Sequence, residues 1–217
     1  MILFELTGAE NHVAYQALEI SNADRHYSFL QSIVAASLSV DKRFLSQTVL
    51  KAINYHAIAC LHTNAGEFRP CEVEVGEYKP PAWFRVQALM DDFVNTVNRI
   101  WETADPVVLA AFVLWRLNHI HPFINGNGRT ARAACYFVLC LKAGGLIKGS
   151  VILPELQRRD RNDMVAALKI IDASAATGIL DLAPLHAIIV RLLQEQLASA
   201  SPDEHSVGEP AKENDPA

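Results

Sequence analysis

Hydrophobic and polar positions along the chain predict a protein built almost entirely from helices. Apolar residues recur at three- and four-residue intervals in seven stretches, which is the spacing of amphipathic and buried helices. Two of these stretches precede the Pro80-Pro81 break and five follow it. The predicted helices span residues 24–39, 41–61, 84–102, 106–120, 129–143, 161–175 and 182–199.

Local start and stop signals mark several of these helices. Asp24 and Asp41 stand where N-capping side chains are expected. Asp105 followed by Pro106 is a further helix start, because proline has no amide to leave unpaired in the first turn. Gly144 predicts the end of the fifth helix. The fourth and fifth helices are apolar on nearly every side, so we expect them in the middle of a bundle.

Residues 67–76 break the helical spacing. Two acidic residues, Glu72 and Glu74, alternate there with apolar ones, a period of two that is typical of a half-exposed strand. Residues 67–69 could pair with this strand through a tight turn at Pro70. The sequence therefore predicts an all-α bundle that carries one short β-hairpin.

The composition fits one globular domain and excludes several classes of partner. The chain has 217 residues, 51% of them hydrophobic, and a formal net charge of −5. An acidic chain of this kind is not expected to bind nucleic acid, because non-specific binding needs a basic face. No apolar stretch reaches the ~20 residues that span a membrane, so no membrane association is expected either.

The cysteines and the N-terminus indicate a cytoplasmic protein. Cys60, Cys71, Cys135 and Cys140 show no metal-binding spacing and lie in apolar runs, which predicts reduced, structural thiols. The first residues lack a basic segment followed by a sustained apolar one, so no secretory signal is expected.

The segment HPFINGNGRTAR, residues 121–132, joins the two central predicted helices. His121 precedes a proline, which disfavours helical backbone, so the incoming helix should end near residue 120. Residues 125–128 have short side chains, can adopt positive φ and can point several amides at one place. The next helix adds the positive end of its dipole, and the loop is therefore a candidate anion site.

Two arginines in the first turn of that helix sharpen the anion hypothesis. Arg129 and Arg132 lie three residues apart on one face, where the dipole disfavours each cation by ~0.3–1 kcal/mol. A di- or triphosphate would compensate for this cost. Ordinary ion pairs with acidic residues are the alternative. The segment is not a P-loop, because it lacks the preceding strand and the Gly-Lys-Ser/Thr sequence.

Other polar residues near the loop have simpler interpretations. A single histidine such as His121 beside apolar helices is more often structural than functional. His119 is predicted to be a helix-end residue. The segment from Arg158 to Arg161 predicts a solvated helix start, with contact to a nucleotide or a partner as the alternative.

The loop resembles the signature of the Fic family, H-P-F-x-[D/E]-G-N-G-R-x-x-R, and matches every specified position but one. Upstream, GEFRPCEVEVG followed by KPP and a long helix is similar to the flap hairpin of that family. The resemblance covers most of residues 42–145 and extends more loosely to residue 199. It divides the chain into an N-terminal helical segment (1–41) and a Fic domain (42–199). The acidic, proline-rich composition of residues 200–217 predicts a disordered tail.

The resemblance implies a protein adenylyltransferase, which transfers AMP from ATP to a serine, threonine or tyrosine hydroxyl of a target protein, with Mg²⁺ as cofactor. His121 is then the general base. Arg129 takes a catalytic part by holding the β-phosphate, and Arg132 holds the γ-phosphate. The other phosphate-binding residues implied by the motif are Asn125, Gly126, Asn127 and Gly128.

The flap implied by the resemblance would align an extended segment of the target protein by strand addition. Its docking residues are Glu67, Phe68, Arg69, Glu72, Val73, Glu74 and Val75.

Asn125 is the one departure from the family motif. The acidic residue usually found there helps to ligate magnesium, and an amide oxygen is a weaker ligand for that cation. Asn125 is therefore expected to be a weak metal ligand. The departure leaves open a different nucleotide donor or removal of AMP from a modified protein. An alternative of another class is a non-catalytic, nucleotide-binding interaction module.

Many family members carry an inhibitory helix with the pattern [S/T]-x-x-x-E-[G/N]. The segment from Thr63 to Glu67 has the spacing but is followed by phenylalanine, and Glu10-Asn11 has the ending but follows Leu6. Neither segment completes the pattern. A separate inhibitor or antitoxin protein, or no inhibitor, is therefore favoured over built-in inhibition.

Overall fold

The computed structural model describes residues 2–40 and 44–200, and these fold into nine α-helices. The helices are α1 (Leu3–Thr7), α2 (Val13–Ser39), α3 (Gln47–Ile58), α4 (Val86–Ile100), α5 (Pro106–Ile120), α6 (Asn127–Ala143), α7 (Leu153–Arg159), α8 (Arg161–Ala176) and α9 (Ala183–Ala198). The prediction of an all-α bundle is confirmed.

Helices α5 and α6 form the centre of the bundle, as their sequences predict. Every residue from Ala133 to Leu141 of α6 is buried. Helices α2 and α3 pack against α6, while α4 and α9 pack against α5. Leu30 and Val34 of α2 belong to the same apolar core as the central pair, so this N-terminal helix is an integral layer of the bundle.

Local caps fix the two central helices at their outer ends. The Asp105 carboxylate accepts hydrogen bonds from the amides of Val107 and Val108 at 2.9 and 3.0 Å, an N-cap that stabilises a helix by about 1 kcal/mol. At the other end, Gly144 adopts φ +77° and closes α6. The connection between α5 and α6 is therefore held by two well-anchored helices.

The N-terminal helices differ from the prediction in where they begin. Helix α2 starts at Val13, capped by the His12 ring, so Asp24 lies inside the helix and does not cap it. Its first two turns bury little besides Tyr15, which removes the apolar period that would have revealed them. The α3 cap is Ser46, and Asp41 lies outside the described residues. The short helices α1 and α7 were not predicted.

The predicted hairpin over residues 67–76 does not form. Within the described residues the only β-pairing consists of two isolated bridges, Phe68 with Phe123 and Val75 with Tyr78. The chain before Pro70 pairs with the loop between α5 and α6, and the turn falls after Val75. The alternation of residues 71–75 therefore reflects an exposed segment whose edge has no partner strand.

Three further expectations concern the C-terminal tail, a membrane-spanning helix and the cysteines. Residues 201–217, which make up nearly all of the predicted tail, lie outside the described residues. No helix in the described part of the chain is long and apolar enough to cross a membrane. All four cysteines are free thiols, but only Cys135 and Cys140 are buried, which corrects the expectation that all four pack as small hydrophobes.

Candidate active site

The loop between α5 and α6 is anchored by its own apolar and amide side chains. Phe123 is fully buried. The Asn127 side chain donates to the Phe123 carbonyl at 2.8 Å and accepts from the Phe123 amide at 2.9 Å. Both polar ends of Asn127 are thus used inside the loop. Only its main-chain amide is therefore left for a ligand, and the phosphate-binding role of Asn127 stays a prediction for that amide.

Three consecutive amides at the start of α6 point out of the loop with no protein acceptor. Those of Asn127, Gly128 and Arg129 donate to no group among the described residues, and the first helical bond is Thr130 to Gly126 at 2.9 Å. Free amides combined with the positive end of a helix dipole attract an anion. The structure therefore supports the predicted anion site.

The two glycines of the loop are required for different reasons. Gly126 adopts φ +75°, and a Cβ there would lie only 2.6 Å from Cγ2 of Ile58. Gly128 has ordinary backbone, but a Cβ there would approach Nη1 of Arg132 at 3.3 Å. Of residues 125–128, only Gly126 has the predicted positive φ. Gly128 instead leaves space for a guanidinium.

Asn54 of α3 is a buried residue that the sequence interpretation missed. Its Nδ2 donates to the Asn125 carbonyl at 2.9 Å and to Oγ1 of Thr130 at 3.2 Å, while its Oδ1 accepts from the Gly66 amide at 3.0 Å. Asn54 therefore ties the loop to α3. The available signal was a single amide on the otherwise apolar face of an amphipathic helix.

His121 ends α5 in a left-handed conformation, with φ +51°. Its Nδ1 faces the Asn118 carbonyl at 3.4 Å, and its Nε2 makes no hydrogen bond with the described residues. Burial lowers the pKa of His121 to about 4, and the nearby Arg69 cation acts in the same direction. The ring is therefore neutral at pH 7 and can accept a proton.

The two motif arginines have different surroundings. Arg129 donates to the Glu19 carboxylate of α2 at 2.8 Å and to Oδ1 of Asn125 at 3.1 Å. Arg132 makes no hydrogen bond or ion pair within the described residues. The ion-pair alternative therefore holds for Arg129, whereas Arg132 keeps an uncompensated charge.

Arg132 lies in a locally cationic environment. Its pKa falls to about 10, first because of burial and then because of the charges of Arg129, Arg158 and Arg161. Arg158 lies in the last turn of α7, so of these two residues only Arg161 belongs to the predicted helix start. Both add positive charge near the loop, and contact with a nucleotide stays open. A partly desolvated guanidinium beside other cations gains most from binding a multivalent anion.

Residues near the N-terminus supply two carboxylates to the same region. Besides Glu19, the Glu10 carboxylate accepts from Nδ2 of the Asn125 side chain at 3.0 Å and contacts Nε2 of His62 at 3.2 Å. His62 also contacts the Tyr15 hydroxyl at 2.8 Å. Glu19 has no local sequence signal, because it meets the loop only through folding.

The described residues do not form a ready magnesium site. Oδ1 of Asn125 already accepts from the Gly126 amide at 2.6 Å and from Arg129 at 3.1 Å. Within the part of the chain that the structure describes, no group of three or more His, Cys, Asp or Glu residues is placed to hold a metal ion. The expected role of Asn125 as even a weak ligand therefore has no support in its geometry.

The predicted docking residues separate into two groups. Phe68 packs on Phe123 with ring centroids 5.6 Å apart, Glu67 pairs with Lys51 at 2.8 Å, and Arg69 is fully buried. Phe68 and Arg69 face the bundle, which corrects their assignment to a docking edge, whereas the Glu67 side chain is exposed beside Lys51. The four later residues, Glu72, Val73, Glu74 and Val75, lie in the segment that leaves the bundle surface.

Taken together, these features define a helical bundle whose central loop presents free amides, guanidinium groups and a neutral imidazole. Residues 44–139 match the model of the Fic/DOC family. This match spans a little under half of the chain and includes the loop, so the resemblance of the loop to this family is confirmed.

Known relatives agree with this assignment. The chain is 40% identical over 94 residues to protein adenylyltransferase Fic of Drosophila willistoni, an alignment that covers 43% of this chain and 18% of that relative. The chain thus spans about a fifth of the length of the curated relatives it matches.

Solved structures show the same fold. A Fic domain containing signaling protein from Bacteroides thetaiotaomicron aligns with a TM-score of 0.66 at 22% identity, over 91% of this chain and 78% of that chain. BepC protein from Bartonella tribocorum, with bound AMPPNP, aligns with a TM-score of 0.51 at 17% identity, over 78% and 86% of the two chains.

Proposed function

We propose that this protein is an adenylyltransferase that moves AMP from ATP to a serine, threonine or tyrosine hydroxyl of a target protein. The observation that carries the proposal is the set of free amides at residues 127–129 beside Arg132, a half-buried cation without an anionic partner among the described residues. The name of the Drosophila relative and the AMPPNP bound to BepC support a nucleoside triphosphate as the anion.

The loop would bind the triphosphate by direct charge neutralisation. The amides of residues 127–129 donate to phosphate oxygens, and Arg132 binds the terminal phosphate. Arg129 reaches the phosphates only after its guanidinium leaves Glu19, 2.8 Å away in this structure. Positioning and electrostatic stabilisation of this kind supply much of the catalysis in phosphoryl-group transfer. No step is assigned to a metal, since the described residues offer no ready ligands for one.

The transfer itself requires one base. The target hydroxyl oxygen forms a bond to the α-phosphorus, the bond from that phosphorus to the bridging oxygen breaks, and pyrophosphate leaves. The hydroxyl proton passes to Nε2 of His121, which is unbonded and neutral. A bound polyphosphate would raise the pKa of His121 from about 4 towards neutrality, because a nearby negative charge favours the imidazolium form. Donor binding therefore strengthens the base.

The exposed segment at residues 72–75 would receive the target protein. The main-chain amides of Glu72, Val73 and Glu74 donate to no acceptor within the described residues. Unpaired main-chain groups can accept an extended peptide by strand addition, which makes few demands on its sequence.

Control of the site would lie at least partly in the chain itself. Glu10 and Glu19 contact Asn125 and Arg129, so a bound triphosphate must displace or share these contacts. A separate inhibitor or antitoxin protein stays a prediction.

The cellular compartment is a separate part of the proposal. The four free cysteines are typical of a reducing compartment, and we propose that the protein acts in the cytoplasm.

The test is transfer of label from α-³²P-ATP to protein in a cell lysate supplied with the full chain and Mg²⁺. We expect His121→Ala to abolish labelling while nucleotide binding and the circular dichroism spectrum are kept. The matched control is His186→Ala on α9, which should label as the wild type does. Equal labelling by the His121→Ala variant would remove the base assignment.

Two further arms separate the alternatives raised by Asn125. Parallel reactions with other labelled nucleotides, and with an AMP-modified protein as substrate, test a different donor and the reverse reaction. Asn125→Asp should raise Mg²⁺-dependent transfer if the wild-type loop binds the metal poorly. Nucleotide binding without turnover on any donor or target would identify a binding module instead.

A further inference from the structure

Arg69 is a buried cation with little acidic compensation. Only 2% of the residue is exposed, and it is the largest fully buried side chain of the described residues. Its nearest carboxylate is that of Glu72, 3.5 Å from Nη1 and itself largely exposed. A buried charge is costly unless it is well hydrogen-bonded, so the partners of this guanidinium must account for its burial.

Those partners are three carbonyl groups from three separate segments. Nε donates to the His121 carbonyl at 2.8 Å, Nη1 donates to the Cys71 carbonyl at 2.9 Å, and Nη2 donates to the Pro81 carbonyl. Cys71 and Pro81 are the first and last residues of the segment 71–81, which we call the flap from here on. One side chain therefore holds both ends of the flap and the end of α5.

The His121 backbone depends on this contact. A residue other than glycine at φ +51° carries roughly 1–2 kcal/mol of strain and persists only where its surroundings determine it. Its amide is held by the Leu117 carbonyl at 3.0 Å, and its own carbonyl by Arg69. The Arg69 amide also donates to the Pro122 carbonyl at 2.8 Å, which fixes the next residue of the loop.

We propose that Arg69 is a positioning residue that fastens both ends of the flap to the main chain of His121, so that target docking and base placement depend on one side chain. The roles given to the flap and the base rest on the proposed function. The connection of the two flap ends to His121 rests on the contacts of Arg69, while the Tyr78 hydroxyl separately ties the flap to the His119 carbonyl at 2.6 Å. Arg69 is not a catalytic residue, because its guanidinium donors point at protein carbonyls.

Lysine cannot replace this arrangement, although it keeps the charge. Three carbonyls in different segments need the planar fork of a guanidinium, whereas an ammonium group is a single compact donor. Arg69→Lys therefore removes the geometry and retains the cation, and Arg69→Met removes both. The pair of variants separates positioning from charge.

The experiment compares the full-length wild type, Arg69→Lys, Arg69→Met and a control, Arg116→Lys. Arg116 is another largely enclosed arginine, which packs on Trp115 at 5.6 Å and pairs with Asp92 at 3.8 Å. The readouts are amide hydrogen exchange along the chain and NMR titration of ¹³C-labelled His121. Neither readout requires enzymatic activity, so the result stands even if no AMP transfer is found.

For both Arg69 variants we expect the hydrogen-bonded flap amides, those of Val75 and Tyr78, to exchange at least tenfold faster while α5 and α6 keep their protection. The His121 pKa should rise in Arg69→Met, because Arg69 is the charged group that lowers it, and should move less in Arg69→Lys. The control should leave both readouts unchanged.

Wild-type exchange in the flap of Arg69→Lys would overturn the proposal, as would equal acceleration throughout the bundle. Should neither variant fold, the wild-type Arg69 Nε–H resonance decides. The proposal requires it to be hydrogen-bonded and slow to exchange, and rapid exchange with solvent contradicts it.

Discussion

The loop before α6 and the flap after Arg69 flank the same histidine, but they are held in opposite ways. In the loop, Asn127 and Asn54 satisfy the main chain from inside and leave three amides free in a fixed direction. The flap is tied at its two ends by Arg69, and the amides of residues 72–74 have no acceptor within the described residues. A fixed anion site thus lies beside an edge left open for a second molecule.

This contrast has a physical basis. A polyphosphate is small and multiply charged, so it is bound best by donors that are already oriented. A protein target varies in sequence, and it is bound by main-chain groups that pair only when the target arrives. Changes inside the loop should therefore cost stability and nucleotide binding together, whereas changes in the flap should cost only target binding.

The largest expected effect comes from removing the loop's internal brace. Asn127→Ala leaves the buried Phe123 amide and carbonyl unpaired, at roughly 1–3 kcal/mol for each group. We expect the free energy of unfolding in urea to fall by about 3 kcal/mol and nucleotide binding to be lost. Asn118→Ala, which removes only a bond to Leu114 within α5, should cost under about 1 kcal/mol. Equal losses for the two variants would refute the brace.

Acid should destabilise the bundle around the loop, where His121 and His26 lie, and should not act through the flap, because the flap contains no histidine. The pKa values of His121 and His26 are both lowered to about 4 from 6.5, mainly by burial. Between pH 6.5 and about pH 4 the unfolded chain therefore binds more protons at these two histidines than the folded chain does. The free energy of unfolding should therefore fall as pH drops from 6.5 towards 4.

The slope reaches at most roughly 1.4 kcal/mol per pH unit for each histidine. His26→Gln should flatten the curve by about 2 kcal/mol across this window in urea denaturation at stepped pH. An unchanged curve in that variant would show that His26 already titrates normally in the folded protein.

Arg132 should separate binding from stability. Arg132→Met removes a half-buried cation that has no partner among the described residues, so the free energy of unfolding should stay the same or rise. Loss of a charged contact to the terminal phosphate should weaken ATP binding about 30-fold, or about 2 kcal/mol. Calorimetric titration and urea denaturation of the same samples test both halves. A destabilised variant with normal affinity would indicate a structural role.

A smaller effect is expected at the carboxylate that holds Arg129. Glu19→Gln releases a partly exposed ion pair of 2.8 Å, and such pairs contribute up to about 1 kcal/mol. ATP affinity should therefore rise about threefold to fivefold. Glu195→Gln, which breaks an exposed pair with Arg159 on α7, is the control and should leave ATP affinity unchanged. Weaker binding by the Glu19 variant would contradict competition for Arg129.

The smallest effect on stability is expected in the flap. Val73→Pro removes an amide that donates to nothing, so the free energy of unfolding should change by less than about 0.5 kcal/mol. Target labelling should nevertheless fall sharply while ATP affinity stays constant. Val75→Pro is the comparison, because its amide donates to the Tyr78 carbonyl at 3.1 Å. Unimpaired labelling by Val73→Pro would exclude strand addition at this edge.

Short-range signals predicted most of what surrounds the loop. Asp105 with Pro106 and the glycine at 144 mark the outer ends of the two central helices, and their uniform apolarity predicts their central position. The free amides after Gly126 also follow from local backbone geometry. These features depend on neighbours in the chain, which is why the sequence reveals them.

The features that the sequence did not reveal depend on residues far apart along the chain. Glu19 meets Arg129 across 110 positions, and Asn54 meets Asn125 across 71. The alternating flap resembles a strand, yet a strand forms only where a partner is present. The burial of Arg69 likewise follows from carbonyls that come together only on folding.

The most direct test of the central claim is an amide NMR titration of the isotopically labelled full chain with ATP. We expect the resonances of Asn127, Gly128 and Arg129 to shift most and Arg132→Met to suppress the change. Saturable ATP binding that leaves these three amides unmoved, or no ATP binding at all, would contradict that claim.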